Sequence, residues 1–303
     1  MDIVFCADHA VLPGLHVAAY SLLESADPSA GEVNFHIFSD KLLEADIDAL
    51  RASLGKLGRP FHMRLCRIEE SMFRAFPPLN GGWATYYRLA VPGLMDCGRF
   101  LYVDADTMCA VDVAPLFELE MGNHPAALVP EAPLSGAADR VVAQLLGNSP
   151  EEPYFNAGVI LVNVAEWKRQ RITERSMDYL LAHRPDYWDQ SALNVVLHRC
   201  AMTLDERYNH IANKRSGWPV LVGRGDRSGF LMHFLDYPKP WDLMGEFIHP
   251  QYRLWRSVLA KTAMKNFRSW QSTPARRLPK TRKAWIGYKN ALKNRILFLG
   301  YSH

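Results

Sequence analysis

Between Ile3 and Ile68 the chain alternates apolar runs of strand length with stripes of helical spacing. Ile3-Val-Phe-Cys-Ala7 reads as a buried strand, and Leu15 to Leu23 suits a helix after the break at Pro13 and Gly14. Val33 to Phe38 alternates into a second strand, closed by Ser39-Asp40. Leu43, Ile47, Leu50 and Leu54 then recur at helical spacing within Leu42 to Leu57, and Phe61 to Ile68 reads as a third strand. Strands separated by helix-length crossovers pair in parallel, because a tight hairpin has no room for a helix. The pattern predicts an α/β fold, a mostly parallel sheet with helices on both faces.

The next strand carries the chemistry. Phe100 to Val103 is a short apolar run, followed at once by Asp104, Ala105, Asp106 and Thr107. In an open α/β sheet ligands sit at the carboxyl ends of the strands, where the loops diverge. Two carboxylates there repel unless a positive group lies between them. A hard divalent cation, shared with a substrate diphosphate, meets that need. Asp-x-Asp also simply caps turns, so the rest of the chain must decide.

Further candidates follow in order. Arg88 lies on a helical stretch, Trp83 to Leu94, one short segment before the Asp104 strand, and a phosphate-facing role is open beside a solvated one. Ala126 to Val129 reads as a short strand. Tyr154 to Asn163 is an apolar strand interrupted by Asn156 and Gly158, and a glycine inside a strand marks close backbone approach or a bulge. Asn156 suits either a substrate hydroxyl or a turn. Trp167 to Leu181 reads as one helix, and Asp189 and Gln190 stand at the mouth of another, where Asp189 also makes a good N-cap. His233 lies on the strand Phe230 to Leu235, a position usual for a core histidine. Pro238 and Pro240 flank Lys239 and stiffen its loop, which suits presenting an ammonium to a phosphate.

The net charge of +3 hides an uneven distribution: from Phe247 to His303 there are thirteen Lys and Arg and no Asp or Glu. An acidic body with a basic tail predicts an anionic partner for the tail. From Trp285 on, Tyr288, Leu292, Ile296 and Leu299 form an apolar stripe flanked by Lys289, Lys293 and Arg295, the pattern of a helix lying on an anionic membrane. No recognised nucleic-acid module accompanies the tail, so nucleic acid is not expected as a partner. The five cysteines, Cys6, Cys66, Cys97, Cys109 and Cys200, form no C-x-x-C pair and no even framework, which favours a reducing compartment. The N-terminus opens directly into a strand, and no apolar run reaches spanning length. A cytoplasmic protein, peripheral on the inner face of the membrane, is expected.

Taken together these stretches resemble glycosyltransferase family eight, retaining enzymes that include bacterial lipopolysaccharide galactosyl- and glucosyltransferases. The resemblance runs from Ile3 to Trp241. It rests on Phe5-Cys-Ala-Asp8, Thr85-Tyr-Tyr-Arg88, Tyr102-Val-Asp-Ala-Asp106, Phe155-Asn-Ala-Gly158, Asp189-Gln-Ser-Ala-Leu-Asn194, and His233 with Lys239-Pro-Trp241. It implies a Rossmann-like nucleotide-diphospho-sugar transferase fold of the GT-A type. The catalytic domain would occupy residues 1–248, and a basic membrane-associating region 249–303. Ala7 and Asp8 would touch the uracil and its surroundings, with Arg88 and Ala105 also on the nucleotide-sugar side. Asp104, Asp106 and His233 would hold manganese, with magnesium as the second choice, since a mixed carboxylate and imidazole set suits manganese better. Lys239 would contact the diphosphate, and Asn156, Asp189 and Gln190 would surround the transferred sugar. The implied donor is UDP-galactose or UDP-glucose, and the acceptor a saccharide, lipopolysaccharide or lipid-linked glycan.

Two positions depart from the family pattern. His9-Ala10-Val11 stands where Asn and Tyr tend to bind the nucleotide, and Asp236 replaces a glycine before Lys239. Two other readings compete. A phosphohydrolase of the haloacid-dehalogenase type also follows an apolar strand with Asp-x-Asp-x-Thr, as in Asp104 to Thr107, but its motif lies nearer the N-terminus and needs an acidic pair downstream. A non-catalytic sugar-nucleotide-binding protein is the other.

Overall fold

The computed structural model describes residues 1–79, 82–147, 150–211, 229–235, 238–242, 245–249 and 251–269, together with Trp285 and Lys289. Four strands alternate with helices in the first half: β1 (Asp2–Cys6), α1 (Leu12–Ser25), β2 (Val33–Ser39), α2 (Glu44–Leu54), β3 (Phe61–Arg67), α3 (Tyr87–Leu94) and β4 (Arg99–Val103). The second half contributes β5 (Thr107–Cys109), α4 (Ala114–Phe117), β6 (Ala126–Pro133), α5 (Arg140–Leu146), β7 (Pro153–Asn163), α6 (Val164–Arg169), α7 (Ile172–His183) and α8 (Trp188–Leu197). Short pieces follow: β8 (Met202–Thr203), β9 (His210–Ile211), β10 (Leu231–His233), α9 (Gly245–Ile248) and α10 (Tyr252–Leu259).

The main sheet has the order β3-β2-β1-β4-β7-β6-β8. All pairings are parallel except the two made by β7, which runs against both β4 and β6. Alternate side chains of each strand point to opposite faces, and both faces are covered. Ile3, Phe5, Leu101, Val103, Val159 and Leu161 face a core shared with α1, α2 and α10. Val4, Cys6, Phe100, Tyr102, Ile160 and Val162 face the other, shared with α3, α6, α7 and α8. The mostly parallel sheet with helices on both faces is thus the one the alternation predicts.

Several local readings change. Pro13 and Gly14 do not interrupt the chain; they lie in the first turn of α1, where a proline loses no helical hydrogen bond. The single helix expected over Trp167 to Leu181 is two, broken at Arg171, whose φ of 54° is left-handed. β7 is antiparallel, which no strand-helix alternation signals.

The C-terminal segment begins inside the body. Trp255 of α10 is 1% exposed and tilts against Trp241, while Lys261 pairs with Glu24 of α1 at 2.7 Å. The amphipathic stripe expected beyond Trp285 lies outside the described residues, apart from Trp285 and Lys289, which are both exposed. No helix among the described residues is long and apolar enough to cross a membrane.

Candidate active site

The Asp-Ala-Asp loop leaves β4 and returns as β5 in a second, three-stranded sheet of order β5-β10-β9. In that sheet β10 pairs with β5 so that His233 lies opposite Thr107. One more bond, from the Phe234 amide to the Asp106 carbonyl at 2.9 Å, ties the end of β10 to the loop. The pairing carries a histidine from late in the chain to the two aspartates. Its Nε2 stands 3.1 Å from Asp106 Oδ1 and 3.7 Å from Asp104 Oδ2. One ligand atom from each of the three lies within 4.8 Å of the others. Two carboxylate oxygens and one imidazole nitrogen in that space fit a divalent cation such as manganese.

Close packing shapes the loop. A Cβ on Gly14 of α1 would come within 2.4 Å of the Ala105 carbonyl and 2.6 Å of the Trp241 ring, so α1 meets the loop only through a glycine. Gly158 does the same for the histidine: a Cβ there would stand 2.1 Å from the His233 ring. The glycine inside the apolar strand marks this close approach.

The antiparallel run of β7 explains why its beginning belongs to the site. Val159 pairs with Val103, and the Asp104 amide donates to the Gly158 carbonyl at 2.7 Å. Asn156, Ala157 and Gly158 therefore stand at the carboxyl edge of β4, the edge where ligands bind. α8 is clamped to the same stretch by Asn194, whose amide accepts from the Phe155 amide at 2.7 Å and donates to its carbonyl at 2.9 Å. That places Asp189 and Gln190 beside Asn156. Asp189 does not cap α8, as its local sequence allows; Tyr187 holds the cap position, and Asp189 turns inward to accept from Thr85 at 2.6 Å.

Arg88 and Lys239 supply the positive charge. Arg88 Nε is 2.8 Å from Asp189 and its Nη2 is 3.3 Å from Asp104, while the guanidinium also donates to the Thr85 and Ala157 carbonyls and lies over the Tyr102 ring. Burial would lower its pKa, but Asp104 and Asp189 outweigh that and hold it above its ordinary value. For Asp189 burial wins over Arg88, and its carboxyl is raised. Lys239 donates to Asp106 Oδ2 and to the Phe234 carbonyl, each at 2.6 Å. Burial alone would raise Asp106, yet Lys239 and His233 pull it well below the usual carboxylate range.

A cavity of about 250 Å³ is lined by Arg88, Asp104, Asn156, Asp189, Gln190 and His233. Asp8 stands at the end of β1 and accepts from the Ala10 amide at 2.8 Å. Ala7 beside it is fully buried, with its amide bonded to Phe38. His9 is exposed and turned toward α2, 3.1 Å from Asp46. Asp236 lies outside the described residues.

Two residues missed by the sequence reading bond to these candidates. Glu131 accepts from Asn156 at 3.2 Å and from Gln190 at 3.3 Å. It sits near the carboxyl end of β6, which is parallel to β4 through their shared neighbour β7, so the same strand-end signal that marked Asp104 applies to it. Asn209 bonds both His233 and Asn156 from a short 3-10 turn, and nothing in its local sequence marks it.

A family model described as glycosyl transferase family 8 matches residues 2–245. General stress protein A of Bacillus subtilis is 25% identical over 281 residues, covering 85% of this chain and 96% of its own. A lipopolysaccharide 1,2-glucosyltransferase of Escherichia coli K12 is 25% identical, covering 88% and 79%. A lipopolysaccharide 1,3-galactosyltransferase of Salmonella typhimurium is 27% identical, covering 84% and 76%. Among solved structures, the galactosyltransferase LgtC in complex with donor and acceptor sugar analogs superposes with a TM-score of 0.71 at 24% identity, covering 92% of this chain and all of that one. This likeness supports the GT-A architecture.

Proposed function

The chain belongs to glycosyltransferase family 8, and from that membership we propose that it transfers galactose or glucose, with retention of configuration, from a UDP-sugar to a lipopolysaccharide or other lipid-linked saccharide. The observation that carries this reading is the convergence of Asp104, Asp106 and His233 beside Lys239, at the rim of a cavity walled by Asn156, Asp189 and Gln190. The competing phosphohydrolase finds no support: the family match spans the body of the chain, and Asp104, its would-be nucleophile, is engaged by Tyr102 and Arg88.

The leaving group in such a transfer is a nucleoside diphosphate whose negative charge grows as the anomeric bond breaks. A manganese ion held by Asp104, Asp106 and His233, with magnesium as the alternative, would neutralise that charge as a Lewis acid. Lys239 adds a second positive contact by exchanging one of its present acceptors for a phosphate oxygen. Arg88 holds Asp104 and Asp189 in place. Asn156, Asp189 and Gln190 would offer hydrogen-bonding groups to the sugar, and Gln190 is the candidate to steady the positive charge that develops at the anomeric carbon. An amide is a poor nucleophile, which favours front-side displacement. The acceptor oxygen bonds to the anomeric carbon as the carbon–phosphate-oxygen bond breaks, and the leaving phosphate oxygen takes the acceptor proton. A second cavity of about 340 Å³ shares Glu131 with the first and offers room for a saccharide acceptor. Asp8 and Ala7 mark the nucleotide end.

Calorimetric titration of UDP, with and without manganese, tests the reading. Binding that requires the metal and disappears in Asp104→Ala is expected. Metal-independent binding, or none, overturns it, and absence of turnover with either UDP-hexose would leave a binding protein instead. For the basic tail we propose the anionic inner face of the membrane as its partner. Sedimentation with anionic liposomes should fall when the chain is cut after Ser269, and equal binding by both forms would sink that part.

A further inference from the structure

His233 has two ring nitrogens, and only one can face a metal. Which one carries hydrogen follows here from a fixed point in the backbone. The Gly158 amide can only donate, and it points at the Asn156 side chain at 2.9 Å, so the atom facing it is the Asn156 oxygen. That same oxygen lies 2.9 Å from Asn209, whose facing atom must then be its nitrogen. The Asn209 oxygen is left to accept, and it stands 3.0 Å from His233 Nδ1. Nδ1 therefore carries hydrogen, and Nε2 is the nitrogen turned toward Asp104 and Asp106. At its other end the row continues through the Asn156 nitrogen to Glu131, which also accepts from Gln190. Asn156 and Asn209 are 3% and 2% exposed, so water competes little for these bonds. The ring also packs close against the Gly158 backbone, where a Cβ would stand 2.1 Å from it.

We propose that Asn209 is a positioning residue: it sets the tautomer and orientation of His233 for the metal, and through Asn156 it joins the metal centre to the sugar cavity. The inference rests on the transferase reading above and concerns residues that hold a ligand in place. Outer partners of metal-binding histidines act by fixing the ring and raising its basicity. Asn209 supplies the acceptor for that purpose, and its two-ended amide makes it a link as well. An aspartate at this position would keep the acceptor for Nδ1–H but would have no hydrogen to offer the Asn156 oxygen.

The test is manganese affinity at saturating UDP, read by electron paramagnetic resonance of free manganese, for the full-length wild type, Asn209→Ala and Asn209→Asp. Asn209→Ala should weaken manganese about 10–100-fold, while Asn209→Asp should stay within about threefold of wild type. A thermal melt of each variant shows whether it folds. Asn209→Ala within about twofold of wild type overturns the proposal, as does Asn209→Asp binding as weakly as Asn209→Ala. Where the alanine variant does not fold, the aspartate variant carries the test, and its loss of manganese is the overturning result. A wild type that binds no manganese with UDP overturns the transferase reading, and this inference with it, which separates the two failures.

Discussion

Asp104 and Asp106 are separated by one residue, yet their surroundings are built on different lines. Asp104 faces Arg88, a buried cation on α3 whose guanidinium is spread over Asp189, Thr85, Ala157 and the Tyr102 ring. Asp106 faces Lys239, an ammonium at the tip of a flexible stem, from a loop late in the chain. A planar guanidinium with several fixed acceptors is part of the architecture, whereas a compact ammonium can move to a new oxygen without unfolding anything. On the function proposed above, the first cation holds the site together and the second serves the substrate.

The largest effect should come from Arg88→Met. It leaves the buried Asp189 and the half-buried Asp104 without their shared counter-ion, and breaking a buried pair costs about 3–5 kcal/mol. Urea unfolding should show that loss. Lys239→Met should lower the urea midpoint less than Arg88→Met, because His233 still faces Asp106, while kcat/KM falls about 100–1000-fold, the scale of one donor to a developing anion. If the two variants lose equal stability, the distinction between the cations is broken.

A group remote from both cations separates fold from site. His16 on α1 is buried against Ser53, and burial holds its pKa down, from 6.5 to about 4. As pH falls, the unfolded chain takes up that proton first, so stability is lost between about 6.5 and 4 and levels off below. The loss is up to about 3 kcal/mol. His16→Gln should flatten this slope in melts across that range and leave manganese affinity at neutral pH unchanged. A parallel loss of both would tie the metal centre to the packing of α1.

Gln190→Ala is expected to have the smallest effect, about a tenfold drop in turnover with activity remaining, below that of a donor aimed at a full oxyanion. Its amide is held by Ala157, Glu131 and Tyr154, on the Arg88 side of the cavity. A complete loss, like that expected of Asp106→Ala, would mean that Gln190 does more than steady charge.

Much of the site was legible because its residues sit at strand ends. Asp104 and Asp106 follow β4, Asp8 follows β1, and Gly158 breaks an apolar run for the steric reason such a glycine implies. Glu131 carries the same strand-end mark and was passed over because β6 extends four residues beyond the apolar run Ala126 to Val129. Asn209 was not legible. A short turn has no periodicity, and an asparagine that serves two partners distant in sequence looks like any other turn residue.

The sequence by itself determined the alternation of strand and helix, the two-faced core and the paired carboxylates at a strand end. Each depends on the order of apolar and polar residues over a few positions, which local burial reads directly. Only the tertiary structure decided that β7 runs antiparallel, which brings Asn156 to the carboxyl edge of β4 instead of the far one. It also decided that β10 pairs with β5, setting His233 opposite Thr107, and that Asn209 meets the ring from behind. Strand direction and pairing come from packing between segments far apart in the chain, and the polarity of a hydrogen bond exists only once both partners are in place.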